Sequence, residues 1–113
     1  MIGFCLLVAL VCFGCLVPNE WLPSLPNDKL MHFLAFAGLT LMLWPLASGV
    51  AFAVSVVALL AGGWAIECLQ TLVPGRGFSW RDLAANAAGI AAACILLLAW
   101  QTWADDAYRI FVQ

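Results

Sequence analysis

The chain has 113 residues, enough for one domain. Hydrophobic residues make up 66% of it and charged residues only 9%, with a net charge of -2 and a mean hydropathy of +1.08. A soluble domain is about half apolar and about a quarter charged, so this chain cannot cover its apolar residues with charge, and lipid is its expected solvent. With only four Lys and Arg in total, a nucleic-acid-binding surface is excluded.

The first apolar run covers residues 1–17 and stops at Pro18-Asn19-Glu20. It has no basic leader and no small-x-small cleavage site before Asn19, so it reads as a retained helix rather than a secretory signal. Five cysteines (Cys5, Cys12, Cys15, Cys68 and Cys94) all lie in apolar runs and read as small apolar helix residues. Cys12 and Cys15 are spaced C-x-x-C, but no thioredoxin-like context surrounds them, so no disulfide is expected.

The second run covers residues 29–46, with Pro45 near its end. The third covers 50–73 and is stopped by Pro74-Gly75, and the fourth covers 82–100. A spanning helix needs about 20 mostly apolar residues, with a lower limit near 17, and breakers fall between the runs. The expected fold is therefore all-α: one domain over residues 1–113, an up-down bundle of four short transmembrane helices joined by short loops. If the helices alternate, Trp21 and Trp80 fall at one membrane interface and Trp44, Trp100 and Trp103 at the other, where tryptophan is enriched. Only Trp64 falls inside a run. Small residues recur every fourth position in the last run (Ala85, Gly89, Ala93; Ala84, Ala88, Ala92), the pattern that lets helices approach closely in lipid. Gly62 and Gly63, with Ala35 and Gly38, offer the same on runs three and two. The tail from Ala104, with Asp105, Asp106 and Arg109, is expected to lie along the interface as a short amphipathic turn or to fray.

The polar residues converge. Asp28, Lys29 and His32 open the second run, Glu67 and Gln70 close the third, Arg76 and Arg81 sit on the following loop, and Asp82 and Asn86 open the fourth. In an antiparallel bundle these positions share one membrane face. Asp28 and His32 are i, i+4; Glu67 and Gln70 are i, i+3; Asp82, Asn86 and Gly89 form one stripe. Glu67 sits about 10 Å inside Pro74 at 1.5 Å per residue. A carboxylate at that depth is costly, so it is expected to face the bundle interior toward Arg76, Arg81, Lys29 or His32, or else to be protonated. A literal positive-inside count puts the Lys29, Arg76 and Arg81 side in the cytoplasm.

Two accounts of this cluster follow from the residues. In one it only clamps the helices, with Asp28 and Asp82 at helix N-termini and the amides bonding between helices. In the other it is a site: His32 or Glu67 as general base, Asp28 or Asp82 orienting the imidazole, and Asp28, Lys29, Gln70, Arg76, Arg81 and Asn86 binding a headgroup. No nucleophilic serine motif supports covalent catalysis, Ser79 being the one serine in the set. Proton passage is disfavoured because only one end of the bundle is polar. His32, Glu67 and Asp82 could offer mixed nitrogen and oxygen ligands to a divalent ion, but one histidine with no cysteine nearby is a weak metal signature. No metal or cofactor is assigned.

The ordered set Asp28-Lys29-Leu30-Met31-His32, Glu67-Cys68-Leu69-Gln70, Pro74-Gly75-Arg76 and Asp82-Leu83-Ala84-Ala85-Asn86-Ala87-Ala88-Gly89 resembles the VanZ-like family. The resemblance covers about residues 28–89. It implies a small multi-pass protein of the bacterial inner (plasma) membrane with a cell-envelope theme, the founding member being associated with low-level teicoplanin resistance. It names no reaction, and whether the chain is an enzyme stays open. The partners this reading leaves are membrane lipid, a lipid-linked envelope precursor, another membrane protein or a second copy of the chain. The chain departs from the family's usual pattern in having no basic residue before its first run.

Overall fold

A computed structural model describes residues 1–16 and 28–113; the expected break at Pro18-Asn19-Glu20 and the interface position of Trp21 lie outside the described residues. Four helices follow in order: α1 (Ile2–Leu16), α2 (Asp28–Leu43), α3 (Val50–Gln70) and α4 (Trp80–Val112), with no strand among the described residues. The chain is all-α. Two of the four helices, α3 and α4, are long and apolar enough to cross a membrane. The other two are apolar but shorter, at 15 residues for α1 and 16 for α2.

The helix ends are set by local chemistry. Pro45 has no N–H to continue α2, and the chain leaves through turns in which Leu46 N–H and Ala47 N–H both donate to Leu43 O at 3.0 and 2.9 Å. Gly49, at φ 58°, then redirects the backbone into α3. The far end of α3 tightens into i+3 turns through Thr71, Leu72 and Val73, three residues earlier than the breaker Pro74 by itself implies. Val73 O accepts from Arg76 N–H at 3.1 Å across Pro74 and Gly75, with Gly75 at φ 77°. That is the pattern of a type II turn, in which the third position needs a positive φ. Ser79 caps α4, its Oγ accepting from Asp82 N–H at 3.2 Å.

The largest departure from expectation is the end of α4. It runs on through the tail to Val112 as one helix of 33 residues. No Gly or Pro interrupts the sequence after Gly89, and Ala, Leu, Gln and Arg sustain a helix well. At 1.5 Å per residue, α4 is about 50 Å long, well beyond a hydrocarbon core of about 30 Å.

Consecutive helices run antiparallel, so α2 and α4 lie parallel, and the most extensive packing is between these two. Its centre is Gly89, where an added Cβ would lie 2.2 Å from Phe33 O and 3.1 Å from Ala37 N. The two backbones meet there because neither residue of the stripe, Gly89 or the fully buried Ala93, holds them apart. Phe36, Leu39 and Leu43 of α2 and Ile90 of α4 are buried as well. The outward faces are apolar: Leu6, Leu10 and Phe13 on α1, Val54, Val57 and Trp64 on α3, and Ile95, Leu96 and Leu98 on α4 are all exposed. Surfaces of this kind suit lipid and not water. All five cysteines are free.

Candidate functional site

The polar residues gather where α2 and α4 begin and where α1 and α3 end. Glu67 is 0% exposed, Gln70 1%, Asp82 6% and Asn86 2%, all at this end of the bundle. Asp82 is brought inward by the Ser79 cap, which starts α4 so that residues 82, 86 and 89 line its α2-facing side. On α2, one turn in from its start, His32 meets two of them. Its Nδ1 lies 3.0 Å from Asn86 Oδ1 and its Nε2 3.4 Å from Asp82 Oδ2. Lys29 Nζ stands 2.6 Å from Asp82 Oδ1, an ion pair rather than an aligned hydrogen bond. Asp28 opens α2 at the same end; its side chain lies outside the described residues.

Glu67 faces the bundle interior beside His32, as the sequence suggests, but among the described residues it pairs with no arginine. Its Oε2 accepts from the backbone N–H of Ser79 at 3.0 Å, while Oε1 is buried with no hydrogen-bond partner among the described residues. The arginines are engaged elsewhere or turned away. Arg76 Nη2 donates to Gly14 O at 2.8 Å, and Gln70 Nε2 donates to Cys15 O at 2.8 Å. These carbonyls belong to the last turn of α1, which has no helical N–H to satisfy them. Two residues expected to bind a ligand thus cap the end of a neighbouring helix. Arg81 sits in the first turn of α4 on the exposed face and makes no ion pair or hydrogen bond among the described residues.

The structure therefore brings Lys29, His32, Glu67, Asp82 and Asn86 into one cluster, places Gln70 and Arg76 beside it against α1, and leaves Arg81 at its rim. One ligand atom from each of His32, Glu67 and Asp82 can be chosen so that all lie within 4.8 Å of one another. Sequence reasoning missed Ser79, which both caps α4 and holds Glu67. The Ser-x-x-Asp spacing before an apolar run was the available signal. Beside the cluster, a cavity of about 430 Å³ opens between α1, α2 and α3. Its walls are apolar, from Phe4 and Val8 on α1, Phe36 and Leu39 on α2, and Gly63 and Ile66 on α3. Gly63 is also the contact to the site: its Cβ position lies 3.1 Å from Asn86 Nδ2.

Fold and cluster together define an all-α membrane protein with a buried polar site at one end of its helices. The chain belongs to the VanZ/LLP1 family, which it matches over residues 9–101. No curated protein and no solved structure gives a significant match.

Proposed function

We propose that the chain is a four-pass envelope protein whose polar end binds, and acts on, the headgroup of a membrane lipid or lipid-linked wall precursor. In this reading α1 and α2 cross the bilayer alongside α3 and α4, which their exposed apolar faces support. The observation that carries the reading is Glu67: fully buried, with one carboxylate oxygen left unpartnered. A clamp whose only task is stability gains nothing from an orphaned acceptor, which costs about 1–3 kcal/mol. A site that receives a ligand does need an open group. Glu67 is the general base of this reading, because its Oε1 is the open acceptor of the cluster. Asp82 and Asn86 orient His32, and Lys29 holds Asp82. Arg81, exposed at the rim, supplies the cation for a phosphate or carboxylate. The apolar cavity beside Gly63 offers room for an acyl or isoprenoid chain. The association of the family's founding member with teicoplanin resistance fits an envelope substrate.

Native mass spectrometry of protein released from phosphatidylglycerol bilayers tests this. Arg81→Ala should lower the occupancy of anionic lipid about tenfold, the equivalent of one charge-assisted hydrogen bond of about 1.5 kcal/mol. Unchanged occupancy in a folded variant removes the headgroup from the proposal.

A second reading, a non-enzymatic module that partners other membrane proteins or a second copy of itself, draws on Gln70 and Arg76, which serve α1. It requires His32→Ala and Asp82→Asn to lower melting temperature and accumulation together. Variants that stay as stable as the parent would rule it out.

A further inference from the structure

We propose that His32, Asp82 and Glu67 form a mononuclear site for a first-row divalent cation such as Zn²⁺ or Mn²⁺. Each of the three side chains has one polar atom held by the protein and a second atom left over. His32 Nδ1 faces Asn86 Oδ1, an acceptor, so Nδ1 carries the proton and donates it there. That tautomer leaves Nε2 with a bare lone pair, aimed at Asp82 Oδ2. Asp82 Oδ1 is met by Lys29, which leaves Oδ2. Glu67 Oε2 is held by Ser79 N–H, which leaves the buried, unpartnered Oε1.

The spacing fits a shared ion. The Nε2 to Oδ2 distance is 3.4 Å, long for a hydrogen bond and unfavourable for two facing lone pairs. Two ligands each about 2.1 Å from a tetrahedral ion stand about 3.4 Å apart. Glu67 brings the third donor within 4.8 Å of the other two. The contacts to Asn86, Lys29 and Ser79 are the outer partners that fix ligand orientation at metal centres. One imidazole and two carboxylates favour Zn²⁺ or Mn²⁺ over Mg²⁺, which prefers oxygen and retains its waters. Three protein ligands leave a position open for water or for an anionic oxygen. The site deepens the headgroup reading by offering an anionic oxygen that open position, with Glu67 then a ligand rather than a free base; it rests on that reading for the identity of the fourth ligand, though not for the binding of the cation.

The chain contains one histidine, which makes the decisive experiment possible without a variant. Protein free of any histidine tag, in phosphatidylcholine nanodiscs, is titrated with Mn²⁺ alone and examined by electron spin-echo envelope modulation. The expected result is one ion per chain with nitrogen modulation from a single coordinated imidazole, which only His32 can provide. Glu67→Gln should weaken Mn²⁺ binding at least tenfold, whereas Thr102→Val, far along α4, binds as the parent does. Saturating Mn²⁺ without imidazole modulation overturns the site, as does equal affinity in Glu67→Gln. If the ion binds while Arg81→Ala leaves lipid occupancy unchanged, the cation site stands and the headgroup reading falls.

Discussion

The two sides of the bundle are built on opposite terms. Between α2 and α4 the backbones touch at Gly89, Ala93 is fully buried, and His32, Lys29, Asp82 and Asn86 cross-link the helices. Between α1 and the rest there is no such seam. A cavity of about 430 Å³ opens between α1, α2 and α3; α1 meets α2 at Gly3 and Leu7, against Met42 and Gly38, and is tied at its last turn by Gln70 and Arg76. Close backbone approach fixes helix rotation, and fixed rotation is what allows a histidine and two carboxylates to be buried facing one another. The looser side lacks that constraint and keeps space. Precision for the polar group and room for an apolar chain thus come from different helix pairs in one small domain.

The contrast can be broken most severely at Gly89. Gly89→Ala puts a methyl 2.2 Å from a carbonyl oxygen of α2, and backbone cannot yield as a flexible side chain does. A loss of about 3 kcal/mol is expected, in the upper range for overpacking, and thermal unfolding in detergent would show it as a markedly lower Tm. An unchanged Tm would mean that the α2–α4 seam is not the rigid element described.

A smaller effect is expected on the looser side. Gln70→Ala combined with Arg76→Ala strips the last-turn carbonyls of α1 of their donors, for a loss of about 1–3 kcal/mol. Cys15 is the natural reporter, since its side chain is buried beside those bonds. Its alkylation by a small maleimide should accelerate severalfold, while the reactivity of the already exposed Cys5 stays the same. Equal rates at Cys15 in parent and variant would show that α1 is held by apolar packing alone.

The smallest change is expected at Gly62, which lines the cavity and has nothing within 4 Å of its Cβ position. Gly62→Ala should raise stability by about 0.5–1 kcal/mol through helix propensity, seen as a slightly higher Tm. A decrease would mean that the space beside it is filled in the membrane.

Much of this arrangement was legible before any coordinates. Pro45, Pro74-Gly75 and the apolar runs marked four helices and their order, and the i, i+4 stripe of Asp82, Asn86 and Gly89 marked the inner face of the last one. These are short-range features, set by side-chain period and by where the backbone can turn. The extent of α4 was misjudged because charge at Asp105 and Asp106 reads as the end of an apolar run, while a helix needs a breaker to end it. The placement of the arginines could not be read from spacing. Whether Arg76 reaches Glu67 or the carbonyl of Gly14, 62 residues away, depends on the turn at Gly75 and on where α1 ends in space.

The sequence by itself determined the solvent, the helices and the end of the bundle at which polar residues collect. Hydropathy and periodicity act over a few residues and are written into the chain. Only the tertiary structure decided which polar atoms are satisfied and which are not: that Gln70 and Arg76 are spent on α1, that Ser79 takes one oxygen of Glu67, and that the other faces no donor among the described residues. The α1 contacts span 55 and 62 residues of sequence, so they follow from where the helices lie in space rather than from any local pattern.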